Sequence, residues 1–112
     1  ISQPEATALD LVGYAGHSAG LDNVTTVIAE LAEKIDAGRL RKMAELSPIA
    51  WVQRLGYLME LVGAKDKAEG IADYVAQKRP VRTPLAPALK SIGAKFDGRW
   101  RVFINTKVEP DV

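Results

Sequence analysis

Along most of the chain apolar residues return at the three-and-four spacing of helices, and only near the end do they fall into alternation. The opening reads as a helix start, with Ser2 as cap, Pro4 in the first turn and Glu5 at the capping-box distance from Ser2. Leu9, Val12 and Leu11 continue it as a stripe that runs out into the glycine-bearing stretch 13–20. A second helix is predicted over 22–35, with Val24, Val27, Ile28, Leu31 and Ile35 on one side and Glu30, Glu33 and Lys34 opposite. Asp36 then caps a third, in which Leu40, Met43 and Leu46 recur at threes among Arg39, Arg41, Lys42 and Glu45, and Gly38 weakens its start. Ser47-Pro48 predicts an N-cap and first helical residue for a fourth helix, apolar around much of its circumference to Val62 and stopped by Gly63. This is the expected central core helix. A fifth, over 66–78, rests on Ala68, Ile71, Ala72 and Val75, against a cost of about 1 kcal/mol for Gly70 relative to alanine.

Pro80, Pro84, Pro87, Gly93 and Gly98 exclude a continuous helix beyond it and predict a long loop, a length usually kept for function or mobility. Over 100–108, Trp100, Val102, Ile104, Thr106 and Val108 alternate with Arg101, Phe103, Asn105 and Lys107, the period of a strand. One strand cannot satisfy its own backbone groups. Its partner is the extended 81–85 segment, the N-terminal boundary, or a strand outside this chain. The fold class is thus α+β, predominantly α-helical, with about five helices followed by a long loop and a C-terminal β-strand. The 112 residues, 47% hydrophobic, suit one domain spanning 1–112, burying about 60–70% of its unfolded surface. The start at Ile1, almost directly before an amphipathic run, points to a fragment of a longer protein.

Composition removes several chemistries. The chain has no cysteine, so disulfides, thiolate metal sites and cysteine nucleophiles are out, and a reducing, cytoplasmic setting is expected. No apolar run approaches the ~20 residues of a membrane span and no signal-peptide pattern opens the chain, so no membrane partner is expected. The net charge of +1 conceals an asymmetry. Residues 78–107 hold Lys78, Arg79, Arg82, Lys90, Lys95, Arg99, Arg101 and Lys107 against the single acid Asp97, a local charge of +7, and the remainder carries −6. Such a pattern marks a surface for an anionic partner, or lets one half of the domain dock on the other.

Candidate chemistry is sparse. His17, the only histidine, reads as a turn residue rather than a metal ligand or general base. Glu5 and Asp10 would sit about 140° apart around a helix, too far to work as a carboxylate pair. Asp10, set among Ala8, Leu9, Leu11 and Val12, is expected to be partly buried and to need partners. Ser47 reads as a cap, not a nucleophile, and the glycines at 63–70 and 93–98 match no phosphate-binding loop. Arg54 and Tyr57 share a face of the fourth helix beside Gln53. Arg54 either pairs with a buried acid such as Asp10 or contacts a ligand. The basic tail, with Trp100 and Phe103 interleaved, has the ingredients for phosphate contacts and base stacking, or else is a set of solvated charges around a core tryptophan. Neither an enzyme nor a cofactor nor a metal is expected.

Three motifs in order carry a resemblance: Pro4-Glu5-Ala6-Thr7-Ala8-Leu9-Asp10-Leu11-Val12, Gln53-Arg54-Leu55-Gly56-Tyr57-Leu58, and Trp100-Arg101-Val102 through Asn105 with Val108-Glu109-Pro110-Asp111. Together, over nearly the whole chain, they resemble the C-terminal domain of AbiEi-type antitoxins, regulators of bacterial type IV toxin-antitoxin systems. Gln3 stands where a small capping residue is expected before Pro4-Glu5. The resemblance implies a non-enzymatic antitoxin module of a longer protein. Its N-terminal winged helix-turn-helix would bind promoter DNA, and the C-terminal domain would counteract a nucleotidyltransferase-type toxin without a stable complex. It also implies Glu5, Thr7 and Asp10 in the opening helix and Gln53, Arg54 and Tyr57 in the fourth as residues of interest. The alternative is a dimerisation or auxiliary DNA-contacting domain of a stand-alone transcriptional regulator, with nucleic acid at the basic region.

Overall fold

The structure is a computed structural model, describing residues 3–15, 21–86, 89–90 and 92–106. Ser2, His17, Pro87, Lys107 and the Val108-Glu109-Pro110-Asp111 motif lie outside the described residues. Five helices come first: α1 (Pro4–Ala15), α2 (Leu21–Ala32), α3 (Ala37–Glu45), α4 (Ile49–Leu61) and α5 (Lys65–Lys78). Three short strands follow: β1 (Thr83–Pro84), β2 (Lys95–Asp97) and β3 (Val102–Ile104).

α4 is the central helix, as its apolar circumference predicts. It packs against α1, α2, α3, α5 and β3, and Val52, Leu55, Leu58 and Met59 are fully enclosed. Leu9 and Val12 of α1, Ile28 of α2, Leu40 of α3 and Ile71 and Val75 of α5 close around it. A Cβ on Gly13 would collide with the indole of Trp51, so α1 takes that ring against its backbone because the residue there is glycine.

Local chemistry explains the helix ends. The Asp36 carboxylate accepts the Arg39 N–H at 2.8 Å, the predicted cap of α3. The stripe of that helix is corrected at its end. Leu46 lies past the last helical residue and is 83% exposed, whereas Ala44, four residues after Leu40, takes the buried position that a 3.6-residue period assigns. Val27 of α2 likewise faces solvent. Ser47 does not cap α4. Its Oγ donates back to the Met43 carbonyl at 2.9 Å, closing the end of α3, and Pro48 stands at the N-cap with no side-chain bond.

The strand prediction is refined in two ways. Among the described residues of the expected 100–108 strand only Val102–Ile104 is extended, because Asp97 Oδ1 accepts the N–H groups of Arg99 and Trp100 and turns the chain there, and Arg101 follows at φ 56°. The supposed loop supplies both neighbours of this strand, in the order β1-β3-β2. β1 runs parallel to β3 (Thr83↔Val102, Pro84↔Phe103), so the 81–85 segment is the partner among the three alternatives, and β2 is antiparallel (Lys95↔Ile104, Phe96↔Phe103, Asp97↔Val102). The Asn105 side chain fastens the next stretch, accepting the Ala86 N–H and donating to the carbonyls of Ala86 and Leu89.

Candidate functional site

Gln53, Gly56, Tyr57 and Glu60 recur at three and four along α4, a spacing that stacks them on one side, with Arg54 next to them. The row is where the small sheet is fastened to the helices. Gln53 is buried and its Nε2 donates toward three main-chain carbonyls, those of Val81 and Trp100 at 3.1 Å and of Arg101 at 3.2 Å. Arg54 gives Nε to the Pro84 carbonyl at 2.9 Å and Nη2 to the Thr83 hydroxyl at 3.0 Å. Gly56 leaves room for the indole of Trp100, whose Nε1 donates to Glu60. Glu60 also pairs with Arg99 at 3.0 Å. One helical face thus holds β1 and the turn before β3 through side chains that donate to their main-chain carbonyls.

Arg54 bonds the sheet, not a buried acid. It is buried against β1, and burial lowers the pKa of its guanidinium from the ordinary value. Asp10 is not its partner: that carboxylate faces solvent, because the α1 face buried on α4 is the one carrying Leu9 and Val12. The expectation of a partly buried Asp10 is therefore wrong. Tyr57 is half-buried beside the sheet, and its phenol pKa is raised, first by burial and then by the negative charge of Asp97.

Glu5 is the buried acid of α1. Its Oε2 accepts the Asp36 N–H at 2.9 Å, so it joins α1 to the start of α3, a tertiary role the helix-start reading does not contain. Oε1 has no hydrogen-bond partner among the described residues. Thr7 is half-buried on the same helix. The structure hence does not gather the six motif residues into one site. Gln53, Arg54 and Tyr57 meet the sheet, Glu5 meets α3, and Asp10 stands in solvent.

The basic residues are spread over the sheet and its flanks. Lys78 and Arg79 end α5, where Arg79 adopts the left-handed conformation at φ 47°. A cleft of about 370 Å3 between α5 and the turn before β3 gathers Arg79, Arg99 and Arg101. Its positive charge is largely balanced, since Glu69 and Asp73 line it too and Arg99 pairs with both Glu60 and Glu69. Lys90 and Lys95 line a second, open groove of about 520 Å3 with Ile92, Ile104 and Asn105. Arg82 lies with its guanidinium carbon 4.7 Å from the centre of the Phe96 ring. Among the described residues, Lys78, Arg79, Arg82, Lys90, Lys95 and Arg101 form no ion pair, and of these Arg82, Lys90 and Lys95 lie outside the cleft that the acids balance. Of the two aromatic residues expected to stack on bases, Trp100 is fully buried and cannot. Phe96, which the sequence reading passed over, is exposed beside Phe103.

Among the described residues no group of three or more histidine, cysteine or acidic side chains is placed to hold a metal ion, and no helix is long and apolar enough to cross a membrane. No curated protein and no solved structure matches the chain. The family model described as the AbiEi antitoxin C-terminal domain matches residues 1–61, a stretch that contains the opening motif and the Gln53-Arg54-Leu55-Gly56-Tyr57-Leu58 motif and stops before the sheet. With more than half of its length matched, the chain belongs to the AbiEi antitoxin C-terminal domain family.

Proposed function

We propose that this chain is the antitoxin module of a bacterial type IV toxin-antitoxin system and acts by binding, without catalysis, against a nucleotidyltransferase-type toxin. Family membership supports the antitoxin role. What supports the binding surface is the set of unpaired cations on a small sheet that α4 holds in place through Gln53 and Arg54. A sheet of strands this short has little stability of its own. Side chains of a packed helix give it a fixed shape, so Arg82, Lys90 and Lys95 are presented at set positions toward an anionic surface. In the longer protein a winged helix-turn-helix preceding this module would read promoter DNA.

The test is growth of cells expressing the toxin encoded beside this protein, with and without the 112-residue chain supplied separately. Rescue is expected from the native sequence. It should be lost on combining Arg82→Glu, Lys90→Glu and Lys95→Glu, while the circular-dichroism spectrum and melting temperature stay unchanged. Rescue by the reversed variant would remove the basic region from the mechanism. Failure of the chain where the full-length protein succeeds would assign antitoxicity to both domains together.

A further inference from the structure

Pro84, Phe103 and Phe96 are register partners across β1, β3 and β2, so their side chains share one face of the sheet. The opposite face carries Thr83 and Val102, both buried toward α4. The first face therefore points away from the core. On it the rings of Phe96 and Phe103 lie 5.3 Å apart at 53°, and Phe96 keeps 39% of its surface exposed. Arg82, two residues before Pro84 and exposed, lies over the Phe96 ring. The next register pair, Lys95↔Ile104, alternates to the other side of the sheet, where it lines with Lys90 a separate groove.

From this arrangement we infer that the outer face of the sheet binds single-stranded nucleic acid, with unpaired bases stacking on Phe96, Phe103 and the Arg82 guanidinium, whose charge also meets the phosphates. Accessible aromatic rings beside an unneutralised cation are what a strand with accessible bases requires, because every base offers a π-face and every linkage a negative charge. A duplex offers the charge but keeps its bases stacked on each other. The local charge of +7 over residues 78–107 supplies the complementarity, and the sheet face supplies the discrimination. The inference rests on the proposed function for its choice of surface, and it names the partner of that surface.

Fluorescence anisotropy of a labelled oligouridylate and the matching oligothymidylate, titrated with the whole chain, tests it. Both should bind at low salt, with affinity falling steeply as salt rises. Tighter binding of one would show whether the 2′-hydroxyl is read. Phe96→Leu and Phe103→Leu keep apolar bulk and remove the π-face, and each should weaken binding about ten-fold with an unchanged melting temperature. A duplex of equal charge should compete poorly. Equal affinity for duplex and single strand, or unchanged affinity in both leucine variants, would overturn the inference. So would absence of binding at low salt, and if toxin rescue persisted in that case the proposed function would stand while this partner was removed.

Discussion

The indole of Trp100 lies on Gly56, so close that a Cβ at that position of α4 would collide with the ring. Trp100 is fully buried, and it belongs to the turn that leads into β3. The contact therefore measures how tightly the sheet is seated on the central helix.

Gly56→Ala should destabilise the protein. Overpacking a filled site costs about 1–3 kcal/mol, against about 1 kcal/mol gained by replacing glycine inside a helix. Thermal unfolding should show a lowered midpoint, and tryptophan emission should shift to the red as Trp100 is pushed toward water. A raised midpoint would mean that the indole moves aside freely and that the seat is loose.

Gln53 fastens the same seat by hydrogen bonds. Gln53→Leu keeps the volume and removes the donor, leaving the carbonyls of Val81, Trp100 and Arg101 without it. A buried acceptor left unsatisfied costs about 1–3 kcal/mol, so a loss on the order of 3 kcal/mol is expected in urea denaturation. Hydrogen exchange should localise it. The Thr83 and Leu85 amides, bonded to the carbonyls of Arg101 and Phe103, should lose protection while amides in the middle of α4 keep theirs. Equal loss in both would show that sheet and helices unfold as one unit.

These seats account for what was legible in the sequence. The Asp36 cap and the five helices depend on neighbours within a few residues, and spacing alone predicts them. Ser47 has two local options, forward to α4 or back to Met43, and the sequence does not choose between them. Asp10 is exposed despite its apolar neighbours because a residue flanked by apolar ones in sequence is flanked by different residues once the helix winds, so Leu9 and Val12 face the core without it. The two short partner strands have no period to detect: β1 has two residues and β2 three, and their existence depends on Arg54, Gln53 and the Asp97 turn. Phe96 is not legible as a surface aromatic for the same reason, since without a strand there is no face to assign it to.

Tyr57 gives the seat a pH dependence. Its folded-state pKa lies above the ordinary value of 10, because burial and then Asp97 disfavour the phenolate. Below about pH 10 the phenol is neutral in both states and the contribution is intact. As pH rises past the unfolded value, the unfolded chain releases this proton while the folded one retains it, so unfolding is favoured and stability falls until the folded pKa is passed. Tyr57→Phe has no proton to release. Between about pH 8 and pH 11 the native protein should therefore lose stability relative to this variant, with the divergence beginning near the ordinary tyrosine pKa. Asp97→Asn preserves an Oδ1 acceptor for the Arg99 and Trp100 N–H groups and removes the charge, so it should make the divergence smaller without abolishing it, burial being the larger cause. Parallel pH profiles for the native protein and Tyr57→Phe would show that the phenol is equally at ease ionised in both states, and so that this edge of the seat is open to water.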